Sequence, residues 1–428
     1  MQILKAKLIE LHNQKKFINV AVIGAGFMGN SLIVQLNELP GFKCNICYSR
    51  DNEKTKKAFL SSGANKNNIK YISKKSEYNK ESNAFYIMED PYEFFDHKDI
   101  DVIVDATGSP YEGAKIAFNA LNNKKHIVSL NVECDVVVGP LLSKIAQDNG
   151  VTYTGIAGDE PGSVKELYDF AKLLGFEVLM VGKGKNNPLI HDADYESVHD
   201  EAMQKGIRPN MLASFVDGSK TMEELTLMCN AIGFTPDVPG CHGIVSDIKN
   251  LEKKLALKAD GGIIEKYNTV EYVNGIAPGV FVLIKAQNEI VDHELKFLKI
   301  GIGPNYILYR PYHLTSLEVP ITIAQSYFFN IPTIAPIPLK PYADTIAVAK
   351  RDLHPGEAMD GAGGKTAYGT IYEYRYAREN NYMPYGLIGE KVKIKKEIKK
   401  GTPIKYSDVE IEESKLFELR KILESLTK

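Results

Sequence analysis

The feature that constrains this sequence most is an apolar run, INVAVI, that passes directly into the glycine-rich turn GAGFMG. The glycines Gly24, Gly26 and Gly29 have the spacing G-x-G-x-x-G, with a strand pattern before them and a helical pattern after them. In such a turn the first glycine permits a tight bend, the second lets the backbone approach a pyrophosphate, and the third lets helix and strand pack closely. The segment therefore predicts a dinucleotide site at a helix N-terminus. The alternative is a turn whose glycines serve packing alone.

Strands and helices continue to alternate up to about residue 155, which is typical of a doubly wound parallel sheet of the Rossmann type, an α/β fold. The pattern then changes to mixed helices and strands, and from residue 343 to short strands with glycine turns. We therefore expect a dinucleotide-binding domain over residues 1–155, a central α+β domain for catalysis and dimerisation over residues 156–342, and a small β-rich domain over residues 343–428.

The composition narrows the class of partner. Of the 428 residues, 44% are hydrophobic and 25% are charged, and the net charge of -2 gives no global attraction to nucleic acid or to an anionic membrane. The odd number of scattered cysteines indicates free thiols in a reducing compartment, and no apolar stretch is long enough to cross a bilayer. We expect a cytoplasmic protein. Cys44 and Cys47 form C-x-x-C in a predicted strand, where residues three apart point to opposite faces, so we interpret them as packing residues.

The end of the second strand bears on the choice of cofactor. An NAD-binding domain places an acidic residue there, on the ribose 2′-hydroxyl. Here Ser49 and Arg50 come first and Asp51 follows them. A hydroxyl and a guanidinium suit a 2′-phosphate, so NADP is favoured, while the carboxylate of Asp51 leaves NAD open. The alternative for Arg50 is a solvated surface arginine.

Two later strands end in residues suited to the rest of the cofactor. Thr107 and Gly108 follow an apolar strand at the edge where such sheets bind ligands, and Asn131 and Glu133 follow the next strand. Glu133 either contacts the substrate or is a carboxylate at a helix start, where the helix dipole favours it. The predicted cofactor-binding residues are Gly24, Gly26, Phe27, Met28, Gly29, Ser49, Arg50, Thr107, Gly108 and Asn131.

The stretch VLMVGKGK supplies candidates for acid–base chemistry. Lys183 and Lys185 are two residues apart at a strand end and hence on one face, and we expect Gly182 and Gly184 to leave room for a ligand. A lysine whose pKa is lowered by burial and by its neighbours can polarise a carbonyl oxygen and exchange its proton. Lys183 is therefore the predicted catalytic lysine, with Lys185 as a helper or phosphate contact. The alternative is an exposed basic strand end.

Acidic residues are candidates for orienting these lysines. Asp159 and Glu160, in GDEPG, follow a strand and precede a helix. They can act as acid or base or, together with Glu133, hold a divalent cation through oxygen ligands. The sequence does not identify the metal ion; Glu133, Asp159 and Glu160 are its candidate ligands. The alternative is that these residues are carboxylates at helix starts, where the helix dipole favours them.

The stretch NYILYRPYHL places Arg310 and His313 among tyrosines and aliphatic residues. Arg310 ends an alternating strand pattern, and His313 precedes a helix start with a Thr315-to-Glu318 capping signal. An arginine, a histidine and a helix N-terminus suit a phosphate or carboxylate, so we predict a substrate-binding site here. The alternative is a buried arginine that ties domains together while the tyrosines pack the core.

Several of these segments resemble a known family. VIGAGFMG, DVIVDATGSP and KHIVSLNVECDVVVGP resemble the cofactor domain of homoserine dehydrogenases. GDEPG, GKGK, APGVFV and YRPYHLTSLEVP resemble a sister group that has a C-terminal SAF (antifreeze-like) domain and includes 1-deoxy-D-xylulose 5-phosphate reductoisomerase-like enzymes. The resemblance covers nearly the whole chain, with the SAF match on residues 343–428. It implies NAD(P)-linked reduction or oxidoisomerisation of phosphorylated or acidic polyols.

One departure bears on the reaction. Homoserine dehydrogenases carry an Asn-Lys pair after the strand that ends here in Asn131, and this chain has Val132 and Glu133 at that place. A carboxylate in place of an ammonium disfavours plain homoserine chemistry. We expect an NADP-dependent oxidoreductase for a small anionic substrate, acting as a homodimer or homotetramer without nucleic acid or membrane partners. The alternatives are a homoserine dehydrogenase-type enzyme of an amino acid pathway and a non-catalytic dinucleotide-sensing protein.

Overall fold

A computed structural model describes residues 1–80, 83–389 and 391–427 of the chain. It forms two compact units, the first made of residues 1–162 and 314–339 and the second of residues 163–313 and 340–428. The division into three domains stays a prediction.

The strands are, in chain order, β1 (Ile18–Ile23), β2 (Phe42–Tyr48), β3 (Ile69–Ile72), β4 (Phe85–Met88), β5 (Val102–Asp105), β6 (His126–Ser129), β7 (Tyr153–Gly155), β8 (Glu177–Lys185), β9 (Thr235–Pro236), β10 (Ile244–Val245), β11 (Thr269–Asn274), β12 (Val280–Lys285), β13 (Asn305–Arg310), β14 (Ala343–Ala349), β15 (Ala367–Glu373), β16 (Val392–Ile394) and β17 (Val409–Ile411). The α-helices are, in chain order, α1 (Gln2–Asn13), α2 (Phe27–Glu38), α3 (Asn52–Ser61), α4 (Pro110–Asn122), α5 (Val132–Asn149), α6 (Glu160–Leu173), α7 (His199–Lys205), α8 (Pro209–Val216), α9 (Ser219–Ile232), α10 (Leu251–Lys254), α11 (Glu289–Phe297), α12 (Val319–Phe329), α13 (Tyr374–Glu379) and α14 (Lys415–Leu426).

The first unit is built on a sheet of seven parallel strands in the order β3-β4-β2-β1-β5-β6-β7. The central strands read as continuous apolar runs because helices cover both faces of such a sheet. Val20, Val22, Val102, Val104 and Val128 are buried in its core. The predicted Rossmann-type α/β fold is confirmed.

The two cysteines of C-x-x-C correct one sequence-based prediction. Cys44 and Cys47 do not point to opposite faces of β2, because their sulfur atoms lie 3.8 Å apart. The register of β1 on β2 shifts between Asn19 and Ala21, where the partners advance from Lys43 to Ile46. The extra residue in β2 is a bulge that resets the alternation of side chains. Both cysteines are buried and free, so the prediction that they are packing residues is consistent with their position.

The second unit contains a mixed sheet in the order β10-β11-β8-β12-β13, with β9 also paired to β11. Strand β8 lies between β11, which is parallel to it, and β12, which is antiparallel. This central position buries most of β8, including its lysines.

The chain from residue 343 forms a small antiparallel β region, as predicted. Strands β14 and β15 pair with each other, and so do β16 and β17. Helix α9 lies against β14, where the hydroxyls of Thr226 and Thr345 are 2.8 Å apart. None of the described helices combines the length and the apolar character needed to cross a membrane.

Candidate functional site

The glycine-rich turn has the geometry that the motif requires. Gly24 has a φ of +107°, and a Cβ there would lie 2.6 Å from the carbonyl oxygen of Ala106. A Cβ on Gly29 would lie 1.9 Å from the carbonyl oxygen of Gly24, so helix and strand pack too closely for a side chain. Gly26 is different: it precedes α2, and its Cβ position has open space around it. The turn therefore offers bare backbone at a helix N-terminus, which fits a dinucleotide pyrophosphate.

The first two residues of α2, Phe27 and Met28, are exposed large apolar side chains. Phe27 is 82% exposed and Met28 is 37% exposed. Their backbone N–H groups lie in the first turn of α2, where a helix has no acceptors of its own for them. This placement is compatible with the predicted contact to a cofactor.

Asp105 organises the ends of β5 and β6. Its Oδ1 accepts hydrogen bonds from Thr107 N (2.9 Å) and Thr107 Oγ1 (2.7 Å), and its Oδ2 accepts one from Asn131 Nδ2 (3.0 Å). Burial raises the pKa of Asp105, and the hydrogen bonds from Thr107 and Asn131 oppose that rise. Asn131 also donates to Ser109 O (2.8 Å), and Gly108 has a φ of +62° in the same turn.

Asn131 has a structural role that the sequence did not indicate. It is fully buried and is the N-cap of α5, where its Oδ1 accepts from Cys134 N at 3.1 Å. With its amide engaged by Asp105 and Ser109, it fixes the edge of the sheet rather than extending beyond it. Direct contact of Asn131 with a cofactor stays a prediction. Glu133 lies half-buried in the first turn of α5, as the helix-start alternative required.

At the end of β2, Asp51 is the N-cap of α3, and its carboxylate accepts from Glu53 N at 3.1 Å. Ser49 Oγ accepts from Asp51 N at 3.4 Å, and Arg50 is exposed. The carboxylate that would select NAD is therefore engaged in capping a helix, and Arg50 is exposed at the surface. Both observations are compatible with the predicted preference for NADP.

The clearest chemical feature of the second unit is an ion pair at the end of β8. Lys183 pairs with Glu224 of α9, and their side chains are only 6% and 4% exposed. A buried ammonium is unfavourable without a carboxylate beside it, so the pair fixes Lys183 in place. The exposed basic strand end, the alternative interpretation of these lysines, is wrong.

Lys185 lies two residues further along the same strand. Its Nζ donates to the carbonyl oxygen of Phe215 at 2.8 Å, and the residue is 6% exposed. Burial, and secondarily the positive charge of Lys183, lower the pKa of Lys185 to about 8. A lysine with this pKa exchanges its proton close to neutral pH, which is what acid–base chemistry needs.

The two glycines beside these lysines have another purpose than the one predicted. A Cβ on Gly182 would lie 2.1 Å from the carbonyl oxygen of Glu271, and one on Gly184 would lie 2.4 Å from Ala277 Cα. The space beside them is therefore filled by β11 and by the turn before β12. The expectation that they leave room for a ligand is wrong, because β8 is a central strand with neighbours on both sides.

Asp159 and Glu160 lie at the start of α6 and are half-buried. The turn that carries them is tight: Gly158 O accepts from Thr315 N at 2.7 Å, and a Cβ on Gly158 would lie 2.2 Å from Thr315 O. The structure thus brings the GDEPG turn against Thr315, at the start of the 3₁₀ turn before α12. The roles of Asp159, Glu160 and Glu133 as acids, bases or metal ligands stay predictions.

Arg310 ends β13, as predicted, and is held by its neighbours. Its Nη1 donates to Glu166 Oε2 at 2.8 Å and to Ser163 Oγ at 3.3 Å, and its guanidinium lies 4.9 Å from the ring of Tyr312. His313 is half-buried three residues later. A helix does start here, since a 3₁₀ turn at Thr315–Glu318 leads into α12. The predicted capping by Thr315 is wrong: Leu314 and Glu318 are the N-caps of the two elements, and Glu318 Oε1 instead accepts from Leu314 N at 3.0 Å. The anion-binding role of Arg310 and His313 stays a prediction.

Sequence reasoning missed the carboxylates that pair with two buried lysines, Lys183 and Lys350. Glu224 lies in α9, and the segment before that helix contains Asp217, whose carboxylate pairs with Lys350. All three of these charged residues are buried. A charged residue in a helical pattern is normally solvated, so no local signal distinguishes Glu224 from a surface glutamate.

Two family models match the chain in separate segments. Residues 18–129 match the GFO/IDH/MocA model, described as an oxidoreductase family with an NAD-binding Rossmann fold. Residues 158–319 match the catalytic domain of the oxidoreductase DRL. No curated protein matches the chain.

Solved structures give weaker similarities. A probable dehydrogenase from Thermotoga maritima is 10% identical, with 73% of this chain and 86% of that chain covered and a TM-score of 0.39. A DOX-P reductoisomerase in complex with magnesium is 12% identical, with coverage of 74% and 71% and a TM-score of 0.44. A scyllo-inositol dehydrogenase from Lactobacillus casei is 15% identical, with coverage of 69% and 76% and a TM-score of 0.38.

A dinucleotide-binding domain followed by an oxidoreductase catalytic domain defines the class: the protein is an NAD(P)-dependent oxidoreductase. Its cofactor domain is similar to the GFO/IDH/MocA model over residues 18–129, and its catalytic segment is similar to the DRL model over residues 158–319. The prediction of an NAD(P)-dependent enzyme is confirmed, and the alternative of a non-catalytic sensor is not retained. Homoserine dehydrogenase and the SAF domain are not the families matched here, and those resemblances stay predictions.

Proposed function

We propose that the protein is an NADP-dependent reductase or oxidoisomerase acting on a small hydroxy or keto compound that carries a phosphate or carboxylate. The observation that carries this proposal is the buried pair of Lys183 and Glu224 beside Lys185, whose pKa is lowered to about 8. These residues lie in the segment that matches an oxidoreductase catalytic domain. When bound, the nicotinamide cofactor supplies the hydride that reduces the carbonyl carbon.

In this proposal the two lysines manage the proton. Lys183 donates a hydrogen bond to the carbonyl oxygen and transfers a proton to it as the negative charge develops, which produces the hydroxyl group. Lys185 then returns a proton to Lys183 and recovers its own from solvent. Its lowered pKa supports this second role, because it lets the ammonium release a proton near neutral pH.

The preference for NADP rests on the end of β2. The free 2′-phosphate of the cofactor would contact Arg50 and Ser49, while Gly24, Gly26 and Gly29 would hold the pyrophosphate. Two facts support this assignment: Arg50 is exposed, and the nearby carboxylate of Asp51 caps α3.

The anionic end of the substrate is assigned to Arg310 and His313. Arg310 already pairs with Glu166, whose side chain is 62% exposed, while the arginine side chain is 14% exposed. Because the carboxylate partner is largely in solvent, the pair is weaker than a fully buried one, and we propose that a substrate phosphate displaces Glu166. Asp159 and Glu160, which have carboxylate oxygens within 4.8 Å of each other, are proposed as ligands of the divalent cation that an isomerisation step requires, whereas Glu133 does not belong to this group.

The test is a substrate screen with purified protein. NADPH oxidation would be followed with phosphorylated and acidic ketones, including 1-deoxy-D-xylulose 5-phosphate, each with and without Mg²⁺ or Mn²⁺. Homoserine with NADP⁺ tests the alternative of a homoserine-type dehydrogenase. Lys183→Met should abolish turnover of any substrate found. Lys285→Met, a matched change at the exposed end of β12, should leave turnover unchanged.

Two results would overturn parts of the proposal. If Lys183→Met keeps the native rate, the assignment of the proton donor is wrong. If NADH is consumed much faster than NADPH, the assignment of Ser49 and Arg50 is wrong.

A further inference from the structure

We propose that Glu224 is a positioning residue of the reaction and that the C-terminal hairpin of β14 and β15 holds it in place. The inference rests on the proposed role of Lys183, which it extends. The C-terminal β region would then serve to keep the two lysines of β8 in a fixed position.

The first step is the burial of the ion pair. Lys183 and Glu224 are both buried, so neither group has bulk water to replace its partner. Replacing the carboxylate of Glu224 removes an opposite charge from beside a buried ammonium, which is costly. Glu224 therefore limits the positions that the Lys183 ammonium can adopt, and a displacement of about 1 Å at a reacting group can cost about 100-fold in rate.

The second step is the attachment of α9, the helix that carries Glu224. Ser219 Oγ accepts from Gly369 N at 2.7 Å, and Thr226 Oγ1 lies 2.8 Å from Thr345 Oγ1. Near the helix C-terminus, Asn230 Oδ1 accepts from Ala343 N at 3.0 Å. These three side chains recur along one side of the helix and tie it to β14 and β15.

Glu224 lies on another side of the same helix. It is five residues after Ser219, which corresponds to a rotation of about 140° at about 100° per residue. One side of α9 is thus attached to the hairpin while another presents Glu224 to β8. A shift of the hairpin would move Glu224 and, through the ion pair, Lys183.

Lys185 depends on the same region through the segment before α9. Phe215 O accepts from Lys185, and two residues later Asp217 pairs with Lys350 at 2.7 Å. Lys350 directly follows β14 and also donates to Ala193 O (2.5 Å) and Gly364 O (2.7 Å). Both lysines of β8 are therefore held by residues that the C-terminal region fixes.

The test compares Glu224→Gln with Glu271→Gln. Glu271 is a buried glutamate of the same unit whose carboxylate accepts backbone N–H groups of His242, Gly243 and Tyr272. For each variant we would measure kcat and KM with NADPH and the ketone found in the screen. The rate at which sulfo-N-hydroxysuccinimide acetate acylates Lys183 would be mapped by mass spectrometry. This labelling needs no turnover, so it reports on Lys183 even if no substrate is found.

The expected result is a split between kcat and KM. Glu224→Gln should lower kcat by about 100-fold, leave KM for NADPH within about threefold, and accelerate the acylation of Lys183, because the amine loses its carboxylate. Glu271→Gln should lower thermal stability and leave kcat and the acylation of Lys183 unchanged. Thr226→Val, which removes one tie to β14 and keeps the side-chain volume, should lower kcat by about tenfold if the hairpin positions α9.

The outcomes separate this inference from the proposed function. A folded Glu224→Gln variant with native kcat and native acylation of Lys183 would overturn the positioning role while the reductase proposal stands. Suppose instead that Glu224→Gln accelerates the acylation of Lys183 but the native protein reduces none of the ketones. That result would support the contact between Glu224 and Lys183 and overturn the reductase proposal.

Discussion

Lys350 and Asp217 form an ion pair in the interior of the second unit, with Lys350 Nζ 2.7 Å from Asp217 Oδ2 and side-chain exposures of 3% and 0%. Burial raises the pKa of Asp217, and the charge of Lys350 opposes that rise. Lys350→Met should therefore leave a buried carboxylate uncompensated and lower the free energy of unfolding by about 3–5 kcal/mol. Urea denaturation measures this change. The double variant Lys350→Met with Asp217→Asn should be more stable than the single variant. If the free energy of unfolding of Lys350→Met lies within about 1 kcal/mol of the native value, the prediction is contradicted.

The carboxyl of Asp135 makes stability depend on pH. Burial raises its pKa to about 7, and the hydroxyl of Tyr153 opposes that rise only in part. In the unfolded chain an aspartate ionises near pH 4. The stability that the protonated group provides is thus complete below about pH 4 and is lost as the pH rises through about 7.

Asp135→Asn should remove this dependence. The free energy of unfolding of the variant minus that of the native protein should increase by about 4 kcal/mol as the pH rises from about 4 to about 8. Chemical denaturation at several pH values in that range measures the difference. A difference that stays constant with pH would show that Asp135 does not titrate with a raised pKa.

Gly26 and Gly29 should respond differently to the same substitution. Gly26→Ala places its methyl in open space, so the melting temperature should be unchanged. The bound pyrophosphate should clash with that methyl, so the Kd for NADPH should rise at least about tenfold. Gly29→Ala places its methyl against Gly24 O and should destabilise the first unit itself. Thermal unfolding and fluorescence titration with NADPH separate the two effects. Equal cofactor affinity in native protein and Gly26→Ala would place the pyrophosphate elsewhere.

Arg50 should decide between the two nicotinamide cofactors. Hydrogen bonds to charged groups contribute about 1.5–3 kcal/mol, so Arg50→Ala should weaken NADPH binding by roughly 10- to 100-fold and leave NADH binding within about threefold. Isothermal titration calorimetry with both cofactors provides the measurement. Lys54→Ala, in the helix that follows, is an exposed cation near the same strand end and serves as control. Parallel losses for NADPH and NADH would mean that Arg50 does not contact the 2′-phosphate.

Lys185 should give the reaction a pH dependence. With its pKa lowered to about 8, the ammonium that supplies a proton is progressively lost above that pH. We expect kcat/KM for ketone reduction to fall above about pH 8, and this inflection to disappear in Lys185→Met, where the residual rate should be low and flat. Initial rates between about pH 6 and about pH 10 test it. An unchanged inflection in the variant would assign the titration to another group.

The local sequence was sufficient where short-range rules decide the structure. The glycine turn of Gly24, Gly26 and Gly29 and the strand that ends at Arg310 both appear where the patterns predicted them. Each depends on sterics or hydrogen bonding within a few residues. The same rules failed at Cys44 and Cys47, because a bulge in the pairing of β2 with β1 cannot be read from β2 alone.

The sequence by itself determined the cofactor turn, the parallel sheet behind it and the small antiparallel region at the end, since glycine spacing and hydrophobic periodicity are local properties. Only the tertiary structure decided the partners of the lysines. Glu224 is 41 residues from Lys183, and Lys350 is 133 residues from Asp217. Charges that far apart in the chain meet only when the sheet and α9 assemble. Their burial exists only in the folded protein, and burial sets both the strength of the ion pairs and the pKa of Lys185.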